Sequence, residues 1–179
     1  EEGKPNPLSY YGKSKHAGEN AALAGCDTTS IIRTNVVYGY SSFDKSDFIR
    51  WLVEKLIKKE QLNIIEGQYC NPTFTEDLAR TVFKLINKKR YGVYNAAGAD
   101  YLNRYEIAQK TASVFGFNNG LIKPMDPQKL KQSAKRPEKG GLVTLKAETD
   151  LGIKFSSLDN GLQALKQQMN QSQSKKFLL

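Results

Sequence analysis

The chain has 179 residues, 39% hydrophobic and 25% charged, which is enough apolar content for a globular core, and 27 basic against 18 acidic residues leave a net charge of +9. Such a surplus fits nucleic acid, an acidic membrane or a phosphorylated small molecule, yet the lysines are spread along the sequence and gather only at helix ends, which argues against nucleic acid. No apolar run approaches the roughly 20 residues that span a bilayer, and the charged start does not resemble a signal peptide, so a cytoplasmic protein with no membrane partner is expected.

Pro7 opens and Gly25 closes a predicted helix through Ala17, Glu19, Ala21, Ala22 and Leu23. Tyr11 and Lys15 share one face of it, one turn apart. An ammonium beside the ring oxygen favours the phenolate, and would make a group with a reference pKa of about 10 useful as an acid near neutrality. The same spacing also occurs on ordinary surface helices. His16, the single histidine, faces another side and reads as surface or packing. Cys26 and Cys70 are expected as free thiols, although the sequence leaves a disulfide between them open.

Thr28 to Tyr38 has the β-branched and aromatic density of a strand covered on both faces. In an open α/β sheet the residues at the carboxyl ends of strands line the ligand crevice, so Arg33 to Tyr38 is a candidate site wall. Arg33 serves equally well as an ion-pair residue. After a polar loop from Ser41 to Asp47, the residues Phe48, Ile49, Leu52, Val53, Leu56 and Ile57 recur at helical spacing, with Trp51 on the flank and Asp47 or Ser46 as cap.

A short strand is predicted at 62–65. Turn chemistry from Gln68 to Thr75 leads to a helix with Thr73 and Glu76 as a capping box and Leu78, Ala79, Val82, Phe83, Leu85 and Ile86 as its buried stripe. Gly92 to Gly98 reads as a strand entering a small-residue loop, and Asn103 with Glu106 as the start of a helix that stops at Gly116. Another strand is predicted from Leu121 to Lys123, ahead of Pro124. Asp126 to Gly141 is a basic, turn-rich loop of the kind that closes over phosphate. A short helix, 146–151, ends at Gly152; Leu158, Leu162, Leu165 and Met169 mark the last amphipathic helix, with Gln167 to Lys176 thinning into a polar tail.

The run from Pro7 to Lys15, followed by Gly18-Glu19, resembles the catalytic-helix segment of the extended short-chain dehydrogenase/reductase family, also called the NAD-dependent epimerase/dehydratase family. Within it, the dTDP-4-dehydrorhamnose reductases are the most similar group. The resemblance continues in order through Ile32 to Gly39, Asn71 to Ala79, Gly92 to Gly98, Arg136-Pro137 and Leu151-Gly152-Ile153, nearly the whole chain. Two departures stand out. Asn71 occupies a place where relatives commonly have glycine, a change expected to matter little, and Gly140 stands where a serine is frequent.

The resemblance implies an α/β fold: an incomplete Rossmann-type parallel sheet with the smaller substrate-binding domain of an extended short-chain dehydrogenase/reductase. Residues 1–40 and 72–98 would belong to the dinucleotide-binding part, 41–71 and 99–170 to the substrate-binding part, and 171–179 to a polar tail. Family members begin with a Gly-rich turn for the pyrophosphate and supply a Ser or Thr ahead of the tyrosine helix; neither can be placed here. A carboxyl-terminal half is therefore expected, inactive alone and associated with an amino-terminal half or with itself.

In the complete protein, NAD or NADP would give hydride to the 4-keto sugar of a nucleotide sugar, a dTDP-linked one by resemblance. Tyr11 would protonate the new oxygen, while Lys15 would favour the phenolate and hold the nicotinamide ribose. The resemblance assigns Arg33, Thr34, Asn35 and Val36, with Tyr11 and Lys15, to the cofactor, and Arg33, Val37, Tyr38 and Arg136 to the substrate; no metal is implied. Two other functions fit the same residues: a sugar-nucleotide epimerase or dehydratase, and a regulatory or interaction protein on this scaffold.

Overall fold

The computed structural model of the chain describes residues 1–176 apart from 2, 4, 42–46, 130–133 and 135. Its helices and strands are α1 (Tyr10–Gly25), β1 (Ser30–Arg33), β2 (Val37–Tyr38), α2 (Phe48–Ile57), β3 (Leu62–Ile65), β4 (Thr73–Phe74), α3 (Thr75–Asn87), β5 (Gly92–Asn95), α4 (Arg104–Phe115), β6 (Ile122–Met125), α5 (Leu145–Leu151) and α6 (Leu158–Lys176). The strands form three separate two-stranded parallel sheets, β1 with β5, β2 with β4 and β3 with β6. A parallel pair needs a long crossover, and here helices supply it, giving the incomplete α/β arrangement the sequence implies.

The strand predicted over Thr28 to Tyr38 is in fact two. Val36 has φ +43, a left-handed conformation that a β-branched residue rarely adopts, and it turns the chain from one sheet into the next. β1 is also only half-covered, with Ser30 exposed and Ile31 to Arg33 intermediate. In α2, Asp47 caps the helix by accepting from the Ile49 and Arg50 amides at 2.9 and 3.0 Å, whereas Ser46 and most of the polar loop lie outside the described residues. Ile49, Leu52, Val53 and Leu56 are buried as expected, but Ile57 turns to solvent.

α3 departs furthest from expectation. Thr73 sits in β4, and its hydroxyl donates to the carbonyls of Asn35 and Asn71, so the Thr73–Glu76 capping box does not form and no side chain caps the helix. The helix seats its Asp77, Thr81 and Leu85 edge, because the Asp77 carboxylate accepts the Ser156 amide at 2.8 Å and pairs with Arg80. That orientation leaves Val82, Phe83 and Ile86 exposed, against the predicted buried stripe.

α4 begins with the predicted box: Asn103 Oδ1 accepts from Glu106 N at 2.9 Å and Glu106 Oε2 from Asn103 N at 2.7 Å. It stops at Gly116, whose φ of +80 suits glycine. β6 runs through Pro124 to Met125 instead of ending at Lys123; at the edge of a two-stranded sheet a missing donor is tolerated. α6 continues to Lys176, so the stretch read as a thinning tail is helical, and 177–179 lie outside the described residues.

Three apolar clusters hold these elements. One joins Tyr38, Ile49, Phe74 and Ile107 to Leu158, Leu162 and Leu165 of α6. A second joins Leu52 and Leu56 to β3, β6 and the Ala108–Ala112 face of α4. The third packs Leu85 and Tyr94 against Leu151, Ile153 and Phe155, bringing α5 back onto β5. Each fully buried leucine or isoleucine contributes about 1.5–3 kcal/mol. α1 buries no residue at all.

Candidate functional site

A cleft of about 680 Å³ opens where the strands end. Its walls come from Ser9 and Tyr11 at the start of α1, residues 34–36 between β1 and β2 with Val37 opening β2, residues 68–70 after β3, Arg104 at the start of α4, and the returning arm of the basic loop around Arg136 and Gly140. Six of the residues singled out from the sequence therefore meet in one place: Tyr11, Thr34, Asn35, Val36, Val37 and Arg136.

Ser9 starts α1 by accepting from the Gly12 amide at 3.2 Å, which sets Tyr11 in the first turn with its ring largely in solvent. The Lys15 ammonium lies 5.5 Å from the centre of that ring, so the two share the expected face. The position is a cation over the aromatic face; the described hydrogen bonds include none from Lys15 to the phenol oxygen.

Arg33 does not line the cleft. Its guanidinium forks onto Glu19, with Nε 3.0 Å from Oε1 and Nη2 2.7 Å from Oε2, and so ties α1 to β1. The Arg33 hydrogen bond holds the Glu19 carboxyl below its usual range against the opposing effect of burial. Tyr38 turns into the core, packed on Phe74 and beside Gly161, and burial pushes its phenol well above the ordinary value, with Asp77 and Asp100 adding to the shift.

The wall at 34–37 is held in its strained shape by amide side chains. Asn35 Oδ1 accepts from Asn71 N at 3.2 Å, and Asn35 Nδ2 donates to the Gly140 carbonyl. Asn71 Nδ2 donates to the carbonyls of Gly98 and Asp100, both at 3.1 Å, and its Oδ1 accepts from Leu142 N at 2.9 Å. Asn71, expected to change little, is thus the buried centre of a network joining four segments. Gly98 is required beside it, since a Cβ there would collide with the Pro72 carbonyl oxygen.

Arg104 and Arg136 line both this cleft and a neighbouring apolar cavity of about 420 Å³ that contains Phe48, Trp51 and Met125. The Arg104 guanidinium lies 4.7 Å from the centre of the Phe48 ring. Burial lowers its pKa, the nearby Arg136 charge lowers it further, and Cys70 opposes both. Sequence reading passed over Arg104 in favour of its capping neighbours; the available signal was an arginine at the first helical position, where the helix dipole disfavours a cation.

Cys70 is buried and burial raises its thiol pKa, while Cys26 is exposed; both are free, as expected. Among the described residues, no group of three His, Cys, Asp or Glu could hold a metal, and no helix is long and apolar enough to cross a membrane.

A family profile described as RmlD substrate binding domain matches residues 1–171. Among curated relatives, a dTDP-4-keto-6-deoxy-D-glucose reductase of Streptomyces niveus is 29% identical over 133 residues, covering 74% of this chain and 45% of its own length. Methionine adenosyltransferase 2 subunit beta of Danio rerio is 26% identical over 159 residues, covering 86% of this chain and 49% of its own. The chain thus spans about half the length of these relatives. Among solved structures, a dTDP-4-dehydrorhamnose reductase of Clostridium acetobutylicum superposes with a TM-score of 0.87 at 27% identity, over 95% of this chain and 59% of that one. Others of the same fold are complexes with NADP or NAD. The fold is that of the extended short-chain dehydrogenase/reductases, related to dTDP-4-dehydrorhamnose reductase.

Proposed function

The chain belongs to the RmlD substrate binding domain family, and from that premise we propose that it forms the sugar-nucleotide side of an NAD(P)-dependent reductase acting on a nucleotide-linked 4-keto sugar. The observation that carries this reading is the meeting of Tyr11, the 34–37 wall and Arg136 around one cleft.

The residues present fit the nicotinamide end of the cofactor. Tyr11 and the 34–36 wall bound an open cleft at strand ends, and Asn95, at the carboxyl end of β5, keeps a buried Oδ1 with no hydrogen-bond partner among the described residues. When bound, NAD or NADP supplies the hydride that reduces the C4 carbonyl. Tyr11 then gives its phenolic proton to the new C4 oxygen, and the Lys15 cation, already on the tyrosine's face, stabilises the negative charge left behind. Lys15, Thr34, Asn35 and Val36 hold the ribose and nicotinamide, while Val37 and Arg136 face the sugar nucleotide. In this scheme Arg33 acts through Glu19, by fixing the helix that bears Tyr11, and Tyr38 supports the wall from behind.

Residues 1–40 and 72–98 are assigned to the cofactor side and 41–71 and 99–170 to the substrate side, with α5 packed back onto β5. The uncovered face of β1 and α3 is assigned to packing against a dinucleotide-binding half. The test is steady-state turnover of a dTDP-linked 4-keto sugar by the full-length protein. Tyr11→Phe keeps the ring and removes the proton donor, and is expected to lower turnover about 10²-fold. A folded variant with near-normal turnover would sink the assignment.

A second reading, a binding subunit without catalysis, is favoured by one observation: the Danio rerio relative is named as a subunit of another enzyme. It predicts sugar-nucleotide binding with no turnover in either Tyr11 form.

A further inference from the structure

We propose that Arg104 is the second arm of a diphosphate clamp, closing with Arg136 on the bridge of a nucleoside diphosphate sugar; this rests on the sugar-nucleotide reading above and names the group that fixes the ligand's orientation.

Three features oppose a cation at Arg104. It is half-buried, it stands at the first position of α4 where the helix dipole is positive, and Arg136 lines the same two cavities. Neither guanidinium pairs with a carboxylate among the described residues. Among the described residues the Phe48 face and the nearby Cys70 offset this opposition, and neither is a carboxylate that would pair a guanidinium. An arginine held against its own surroundings in a cleft is completed by an anion from outside. Two planar forks suit phosphate oxygens in pairs, which is the geometry in which arginine surpasses lysine.

Position defines the anion further. The two arginines stand at the junction of the cavities. On one side lie Phe48 and Trp51, stacked with ring centres 5.9 Å apart, in an apolar space of nucleoside size; on the other lies the cleft with Tyr11. A ligand with a flat base, a doubly charged bridge and a sugar fits that order, with the sugar delivered toward Tyr11. A single phosphate would engage one fork and leave the second cation unpaired.

Calorimetric titration of the chain with dTDP, dTMP and thymidine decides it, using wild type, Arg104→Lys and Arg104→Met, each checked for folding by circular dichroism. Wild type is expected to bind dTDP at least about tenfold more tightly than dTMP. Arg104→Met should collapse that ratio toward one while leaving thymidine binding unchanged, and Arg104→Lys should fall between, since it keeps charge and loses the fork. If dTDP is preferred and both variants retain the full ratio, Arg104 is not the clamp although the sugar-nucleotide reading stands. If wild type binds none of the three, both fall. Should Arg104→Met fail to fold, Arg104→Lys alone decides: an unchanged ratio overturns the clamp.

Discussion

Helices α2 and α3 both carry a strong amphipathic stripe, yet the region built by α2, α4 and α6 and the region built by α1, β1, α3 and β5 end in opposite states. In the first, Ile49, Leu52, Ile107, Leu162 and Leu165 are fully covered. In the second, α1 buries nothing, Phe83 is 65% exposed and Ile86 69%, and an open groove of about 460 Å³ runs along Ile32, Val82 and Ile86. Periodicity tells which face of a helix wants cover; it does not tell whether the same chain provides it. The cleft lies on the seam, drawing Tyr11 from the bare region and Arg104 from the packed one.

The sharpest way to break this contrast is to delete equivalent apolar mass on each side. Leu162→Ala, in the centre of the packed region, is expected to cost about 2–5 kcal/mol, because the cavity adds to the lost transfer energy. Phe83→Ala, a larger truncation, should stay within about 0.5 kcal/mol. Urea unfolding of both variants measures the difference, and comparable losses would mean that α3 is covered in solution.

Next in size is the seam itself. Asn71→Ala removes two donated hydrogen bonds and one accepted, strands the Leu142 amide, and should cost about 1–3 kcal/mol. Asn71→Gly, the residue common in relatives, should do the same. Hydrogen exchange at Gly140 and Leu142 should accelerate in both variants while α6 stays protected; unchanged exchange at those amides would remove Asn71 from its central place.

The smallest expected effect is the acid sensitivity of the bare region. Glu19 has its folded pKa lowered, chiefly by the Arg33 hydrogen bond, so its stabilising contribution is present above the ordinary value of 4.5 and is lost as pH falls through the lower folded value. For a partly exposed pair this is worth about 1 kcal/mol. Glu19→Gln should therefore lower stability near neutrality and flatten its decline in acid. A variant whose acid limb matched wild type would show that the pair contributes nothing.

Where local chemistry decides the outcome, the sequence was readable. Asn103 and Glu106 specify the start of α4, Asp47 that of α2, and Gly116 and Gly152 the ends of their helices, since each acts within one turn. The wall at 34–37 was found through its place at a strand end. The left-handed turn at Val36 was not, because only distant groups hold it: Thr73 N donates to the Val36 carbonyl at 3.1 Å, and Thr73 Oγ1 donates to Asn35 O. Thr73 itself was misread for the same reason; its spacing to Glu76 fits a cap, and a tertiary acceptor took the hydroxyl. Arg104 and Asn71 owe their importance to neighbours from other segments, which no window of sequence contains.

The bond from Asn35 to the Gly140 carbonyl joins residues 105 positions apart, and that from Leu142 to Asn71 joins residues 71 apart. Closing so long a loop earns its contacts only after intervening chain is in place, whereas the turns of α4 and α6 form from neighbours. The cleft is accordingly expected to close late in folding. The helical turns of α4 and α6 are expected to form before residues 136–142 dock, so protection of the Gly140 and Leu142 amides should lag behind the helical signal. Formation of the helices and closure of the cleft are expected as two separate events in time.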